Sequence, residues 1–192
     1  AMSPHIIEPA SPASRAVIWL HGLGADCYDF VPVVEALQLP DNHGIRFIFP
    51  QAPTRPVTIN GGFPMPSWYD ILGVSPARAI NQAQLDESIA LVRQLIDEQC
   101  AQGIALENIV LAGFSQGGAI ALHLGLRLEQ ALGGIVALST YLACDANLDE
   151  ERSAANRGVP IFQAHGSLDP MVPMALGQAA RERLEGLGYA IE

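Results

Sequence analysis

The segment Gly113-Phe114-Ser115-Gln116-Gly117 has the pattern G-x-S-x-G, with a serine between two glycines. An apolar run at residues 108–112 leads into it, and a helical run at residues 119–128 leads out. A strand, a sharp turn and a helix in this order form a nucleophile elbow, which holds a serine hydroxyl above the end of a parallel sheet. We therefore predict that Ser115 is the nucleophile of an acyl-transfer reaction. The alternative is an ordinary strand-to-helix turn in which glycines allow a tight backbone.

An elbow of this kind also places a backbone amide where negative charge develops. The residue after the serine, Gln116, would begin the helix, so its N–H can stabilise an oxyanion. A second donor is expected from the loop after an early strand. His21-Gly22-Leu23-Gly24 directly follows the apolar run of residues 16–20, and we predict that the Leu23 N–H is that donor. A glycine turn before a helix capped by Asp26 is the alternative.

An acidic residue and a histidine are needed to activate the serine. In this chain order the acid follows the serine, at the end of a later strand. Asp169 lies in the loop after the apolar run of residues 159–163, and we predict that it is the acid. An Asp-Pro turn without a catalytic role is the alternative.

The base has no evident candidate among the five histidines. His123 lies eight residues after Ser115 on the same helix, about 12 Å along its axis, which is too far for a hydrogen bond. The others either precede the elbow or are better explained as loop supports: His5, His43, His21 and His165. A catalytic histidine is expected after Asp169, one helix and one strand further on. We therefore predict that a histidine, the rest of a strand and a closing helix follow Glu192 in a longer chain.

A proline-rich segment, residues 50–76, interrupts the alternation of strands and helices and contains six of the 14 prolines. A connection of this length inside a compact domain is usually functional or disordered. Its aromatic and aliphatic side chains argue against disorder, so we predict that it forms a wall of an apolar substrate pocket. A rigid surface crossover packed on its own side chains is the alternative. The residues predicted to contact substrate are Phe63, Met65, Trp68 and Tyr69.

The elements that must position these residues alternate along the chain. Nearly continuous apolar runs, typical of parallel strands buried on both faces, occupy residues 16–20, 45–49, 108–112, 134–138 and 159–163. Amphipathic helices are predicted from Asn81, as N-cap, to Gly103 and from Met174 to Leu187, and a last strand is predicted to begin at Tyr189. This alternation predicts one α/β domain over residues 1–192, with a mainly parallel sheet.

The composition excludes several classes of protein. A length of 192 residues suits one domain, and 49% hydrophobic with 16% charged residues excludes a disordered or coiled-coil chain. The net charge of −10 argues against nucleic acid and anionic membranes as partners, and no apolar run approaches the ~20 residues of a membrane span. The three cysteines are far apart without a CxxC pattern, so neither a zinc site nor a disulfide framework is expected. Together with the lack of a signal-peptide pattern, they predict a cytoplasmic location.

Four motifs, taken together and in order, resemble those of the small carboxylesterases of the acyl-protein thioesterase group. They are HGLGAD at 21–26, SWYD at 67–70, GFSQGGAIAL at 113–122 and HGSLDPMVP at 165–173. The resemblance covers essentially the whole chain and implies an α/β-hydrolase fold with helices on both faces and no large cap domain. It implies a serine esterase or thioesterase that needs no metal or cofactor. By this resemblance Ser115 is the nucleophile and Asp169 the acid. Leu23 and Gln116 are the oxyanion donors, and Trp68 and Tyr69 lie near the acyl site.

These features lead us to expect a serine carboxylesterase that hydrolyses short-to-medium acyl esters through an acyl-enzyme intermediate. The second possibility is a thioesterase or lysophospholipase that removes acyl groups from lipid-modified proteins or lipids. The third is a non-catalytic binding protein with a hydrolase fold, which the missing C-terminal histidine would fit. The substrate is expected to be a small acyl ester, and the apolar residues of segment 50–76 make a homodimer plausible.

Overall fold

The computed structural model describes residues 3–74, 78–166 and 172–192. Its strands are β1 (His5–Ile7), β2 (Arg15–Leu20), β3 (Ile45–Phe49), β4 (Thr54–Val57), β5 (Phe63–Pro66), β6 (Ile71–Gly73), β7 (Ala79–Ile80), β8 (Ile109–Phe114), β9 (Gly134–Leu138) and β10 (Ile161–Ala164). Its α-helices are α1 (Val31–Ala36), α2 (Gln82–Ala101), α3 (Gln116–Gly125), α4 (Leu148–Glu151) and α5 (Met174–Gly186). None of the helices in these ranges is both long and apolar enough to cross a membrane.

Six strands form the central sheet, in the order β1-β3-β2-β8-β9-β10. All neighbours are parallel except β1, which pairs antiparallel with β3 at one edge. The predicted α/β class with a mainly parallel sheet is therefore confirmed. The register aligns Leu20 of β2 with Gly113 of β8. Because the carboxyl ends of these two strands lie side by side, the loop after β2 reaches the elbow after β8.

Helices cover both faces of the sheet. Alternate residues of β2 point to opposite faces, as the strand period requires. Ile18 belongs to the larger apolar cluster, which includes residues of α2, α3 and α5. Trp19 belongs to a smaller cluster, against which residues of α1 pack. Every residue of α3 is buried, so the helix that follows Ser115 is fixed in the centre of the molecule.

The helix and strand boundaries follow local signals in the sequence. The side chain of Asn81 caps α2 by accepting a hydrogen bond from Gln84 N at 3.0 Å, as predicted. Strand β10 begins one residue after Pro160, since proline cannot donate to the ladder. The strand expected near the C-terminus is represented by a parallel bridge between Ile191 and Ile161.

Residues 54–57 with 63–66, and residues 71–73 with 79–80, form two small antiparallel sheets, which the sequence analysis did not predict. One joins β4 to β5 and pairs Pro56 with Pro64, and the other joins β6 to β7. Prolines are tolerated here because a two-stranded ribbon consists of edge strands, whose outward positions need no ladder donor. The turn between β4 and β5 uses Gly61 and Gly62 with φ values of 67° and 79°, a left-handed conformation that favours glycine. The sequence analysis also missed the short elements β1 and α4.

Candidate active site

Ser115 stands between β8 and α3 in a strained backbone conformation. Its φ is 56° and its ψ is −118°, a region that residues other than glycine seldom adopt. Its N–H donates to Leu138 O at 2.8 Å. Its carbonyl oxygen accepts from Thr140 Oγ1 at 2.6 Å and from Ala119 N at 3.1 Å. Such strain persists only where the surroundings enforce it. The predicted strand-turn-helix arrangement is confirmed, and the role of Ser115 as nucleophile stays a prediction.

The glycines of the motif are required by close packing around the elbow. A Cβ on Gly113 would overlap the backbone of Gly117, and a Cβ on Gly117 would overlap the carbonyl oxygen of His21. A Cβ on Gly118 would lie 2.7 Å from Thr140 Cβ, which is closer than real Cβ contacts. Strand β8, helix α3 and the loop after β2 therefore touch through backbone atoms. This contact brings the loop after β2 to the serine.

The two predicted oxyanion donors lie beside Ser115. A Cβ on Gly22 would be 3.4 Å from Ser115 Cβ, so the loop that carries Leu23 packs directly on the serine. Leu23, Ser115 and Gln116 line the same cavity. Among the described residues, no hydrogen-bond acceptor is found for the N–H of Leu23 or of Gln116. Two unpaired amides next to a serine hydroxyl are what an oxyanion hole requires.

The cavity next to Ser115 has a volume of about 480 Å³, within the usual range for small-molecule sites. Its apolar lining comes from the segment between β4 and β7, from the loop after β2 and from α5: Leu23, Ile59, Ile71, Val74, Pro173, Ala175 and Leu176. Its polar lining consists of Asn60, Arg78, Ser115 and Gln116. Segment 50–76 thus contributes a wall, but through aliphatic residues that the sequence analysis did not single out.

Trp68 and Tyr69, which were predicted to contact substrate, lie elsewhere. Both side chains are fully buried in the core, and neither lines the cavity. Trp68 Nε1 donates to His21 O at 2.8 Å, and Trp68 N donates to Gln116 Oε1 at 2.7 Å. Gln116 Nε2 donates to Tyr69 O at 2.6 Å. The structure therefore places these two residues beneath the site, where they tie the loop after β2 to the start of α3.

Phe63 and Met65, also predicted to contact substrate, lie on β5 and do not line the cavity. The Phe63 side chain is 67% exposed. Met65 packs against the loop after β2, since a Cβ on Gly24 would lie 3.4 Å from its sulfur. The N–H of Gly24 donates to Pro66 O at 2.9 Å. Strand β5 therefore supports the loop that carries Leu23.

The predicted acid, Asp169, lies outside the described residues. All five histidines are described, and none of them has a hydrogen bond with Ser115 within the described ranges. His165 contacts Val172 O at 2.7 Å, and His43 Nδ1 accepts from Ile45 N at 2.8 Å. The identity of the base stays a prediction.

Burial sets the protonation of two imidazoles and two thiols of the chain. Burial and the neighbouring Arg127 lower the pKa of His123 to about 4, and burial lowers the pKa of His21. Both imidazoles are therefore neutral at pH 7. Burial raises the pKa of Cys27 and Cys144, which keeps both thiols protonated. Within the described ranges no cluster of three or more His, Cys, Asp or Glu side chains is arranged to hold a metal ion.

The chain is similar to known hydrolases in sequence and in structure. A family model described as phospholipase/carboxylesterase matches residues 1–190. Acyl-protein thioesterase 1 of Neurospora crassa is 36% identical over 201 residues, which cover 100% of this chain and 82% of that protein. Arabidopsis thaliana SOBER1 has a TM-score of 0.84 at 31% identity, over 93% of this chain and 86% of that chain. Zea mays acyl-protein thioesterase 2 has a TM-score of 0.85 at 28% identity, over 98% of this chain and 87% of that chain.

Proposed function

The chain belongs to the phospholipase/carboxylesterase family and has an α/β-hydrolase fold, and on that premise we propose that it hydrolyses short-to-medium acyl esters through an acyl group bound to Ser115. Membership of the family makes it a carboxylic ester hydrolase. The observation that supports the specific proposal is the strained Ser115, which faces an apolar cavity next to two unpaired amides.

In the proposed reaction, Ser115 Oγ attacks the carbonyl carbon of the ester and its proton passes to an imidazole. The carbonyl oxygen becomes an oxyanion, which the N–H groups of Leu23 and Gln116 stabilise. The imidazole then protonates the leaving alcohol, and an acyl-enzyme forms. Water attacks the acyl-enzyme by the same route and releases the carboxylic acid. In this proposal Asp169 is the residue that orients the imidazole.

The cavity supports a substrate with an acyl chain longer than acetyl. Its wall is formed mainly by aliphatic side chains, among them Ile59, Ile71 and Leu176. Each methylene that such a wall removes from water contributes about 0.8 kcal/mol. A chain of several methylenes would therefore bind there more favourably than an acetyl group.

Hydrolysis of thioesters is a second candidate function. The observation that favours it is the name of a relative with 36% identity, acyl-protein thioesterase 1. Attack by Ser115 on a thioester would use the same two amide donors and the same cavity. The two candidates differ in the leaving group, for which the described residues show no dedicated contact.

The test is to compare kcat/KM of the full-length protein on p-nitrophenyl acetate, butyrate and octanoate and on the matching thioesters. Val74 lines the cavity and is 54% exposed, so Val74→Ala can be made with little effect on folding. We expect it to lower the octanoate-to-acetate ratio of kcat/KM by about three- to tenfold, since two methyl groups leave the wall. Phe63→Ala, outside the cavity, is the matched control and should leave the ratio unchanged. Equal ratios in wild type and Val74→Ala would refute the acyl site, and an inactive full-length protein would refute the esterase proposal.

The cellular setting is also a proposal. All three cysteines are free in the structure: Cys27, Cys100 and Cys144. Free thiols are typical of a reducing compartment, so we propose a cytoplasmic location. The net charge of −10 supports small acyl esters rather than nucleic acid as partners. The homodimer expected from the sequence stays a prediction.

A further inference from the structure

His21 lies directly before the loop that carries the Leu23 amide, and it is 2% exposed. Its Nε2 is 3.0 Å from the backbone N of Ala52. The Ala52 N–H is a donor, so Nε2 must be the acceptor and carries no proton. In a neutral imidazole the proton is then on Nδ1. Nδ1 lies 2.7 Å from Gly22 O and donates to it.

This hydrogen bond determines the direction of the Leu23 N–H. The carbonyl oxygen of Gly22 and the amide hydrogen of Leu23 belong to one trans peptide, in which they point in opposite directions. Gly22 O accepts from His21 Nδ1 and, at 3.2 Å, from Ala25 N. Both donors hold the oxygen on one side of the peptide. The Leu23 N–H therefore points away from His21 Nδ1 and Ala25 N. Leu23 and Ser115 line the same cavity.

We propose that His21 is a positioning residue that fixes the Gly22–Leu23 peptide, so that an N–H and not a carbonyl oxygen faces Ser115. The inference rests on the proposed function, because it assigns Leu23 to the oxyanion hole of that reaction. Turning this peptide over changes ψ of Gly22 and φ of Leu23, and the glycine on one side lowers the steric cost of that rotation. If it turned over, Gly22 O would face the developing oxyanion and repel it.

The imidazole is itself held in place. Trp68 Nε1 donates to His21 O at 2.8 Å, and the two rings lie with their centroids 5.1 Å apart. Ala52 N holds the far side of the ring. Asp26 and Asp29 are the charged groups that act on it, and both favour its protonation, which burial opposes. The imidazole is thus in contact with Ala52 N, with the Trp68 ring and with Gly22 O. Because the first two contacts hold the ring, the ring can hold the carbonyl oxygen of Gly22.

Two substitutions separate positioning from a merely structural role, because each keeps one of the two ring contacts. In His21→Asn the side-chain NH₂ can take the place of Nδ1 and donate to Gly22 O. In His21→Gln the side-chain oxygen can take the place of Nε2 and accept from Ala52 N. Both variants replace the same buried ring with a neutral amide. A structural role would make the two variants lose stability without a difference in kcat between their folded forms.

The experiment measures kcat and KM on p-nitrophenyl butyrate with the full-length variants, together with urea unfolding. We expect His21→Gln to lower kcat on the order of 10²-fold, the usual effect of losing one oxyanion donor, with KM changed by less than about threefold. His21→Asn should keep kcat within about tenfold of wild type. Equal kcat values for the two variants, or a kcat that follows only the folded fraction, would overturn the inference.

A second readout does not depend on activity. The Leu23 amide resonance is followed in ¹⁵N-labelled full-length protein with and without a boronic acid, which forms an oxyanion-like adduct with an active serine. His21→Gln should shift the Leu23 resonance of the free protein more than His21→Asn does. The reverse order, or no shift in either variant, would contradict the positioning role even if wild type hydrolyses no ester. If wild type hydrolyses no ester but the variants show the expected order of shifts, the proposed function is refuted and the positioning role of His21 is not.

Discussion

Replacing Trp68 by phenylalanine tests whether this residue supports the site or contacts substrate. The substitution removes the indole N–H that donates to His21 O at 2.8 Å and leaves an aromatic ring in the core. Both groups are fully buried or nearly so, so the carbonyl oxygen of His21 would lose its partner without gaining water. A buried polar group left without a partner costs about 1–3 kcal/mol.

Trp19 provides a matched control for this change. It is the other of the two tryptophans and is 9% exposed, and its Nε1 has no hydrogen-bond partner among the described residues. Trp19→Phe therefore removes the same atoms from a core position without breaking a hydrogen bond. Both variants lose a similar volume, so the difference between them isolates the hydrogen bond from Trp68 to His21.

The assay is urea unfolding followed by circular dichroism, because each variant has lost one of the two fluorescent tryptophans. We expect Trp68→Phe to lower the free energy of unfolding by about 1–3 kcal/mol more than Trp19→Phe does. It should also lower kcat equally for acetate and octanoate esters, since Trp68 does not line the cavity. Equal losses of stability in the two variants would show that the hydrogen bond from Trp68 to His21 O does not support the site. A loss of activity confined to longer acyl chains would restore the role in substrate contact.

Two further predictions concern packing and pH. Gly117→Ala should destabilise the fold by several kcal/mol or prevent folding, because its Cβ would overlap backbone atoms. The control Gly186→Ala, on α5, has open space for the new methyl group and should be neutral or stabilising by up to about 1 kcal/mol. Similar melting temperatures for the two variants would contradict the close packing around Gly117. Because the pKa of His123 is about 4 in the fold, the unfolded chain binds a proton at higher pH than the native state, and stability must fall as the pH drops below about 6.5. This group should lower the free energy of unfolding by roughly 2 kcal/mol between pH 8 and pH 5, and His123→Gln should remove that pH dependence. If urea unfolding of the variant keeps the pH dependence of wild type, the role of His123 is contradicted.

The elbow could be predicted from the sequence because its signals are local. The small residues around Ser115 and the apolar run before it belong to one short segment, and a strand-turn-helix needs those residue types in that order. The same holds for α2, whose N-cap Asn81 and terminating Gly103 stand at its ends. Hydrophobic runs likewise predicted the five parallel strands of the sheet, with small shifts at their ends.

The supports of the site could not be predicted in this way. Gln116 contacts Trp68 and Tyr69, which precede it by 48 and 47 positions, and such contacts leave no periodicity in the sequence. An aromatic residue in a loop can equally fill the core or line a pocket, since both environments are apolar. Nothing in the composition of segment 50–76 separated Trp68, which does not line the cavity, from Ile59 and Ile71, which do. Trp68 and Ile59 both lie outside the strands of the small sheets, so tertiary packing makes the choice.

The central claim is that Ser115 is the activated nucleophile of an ester hydrolase, and covalent labelling tests it most directly. The full-length protein is treated with a fluorophosphonate, digested and analysed by mass spectrometry, with Ser115→Ala as the control. The account predicts one adduct on the peptide that contains Ser115, no adduct in Ser115→Ala, and the same circular dichroism spectrum for both proteins. An unlabelled Ser115 in the folded full-length protein, or an adduct that persists in Ser115→Ala, would contradict it.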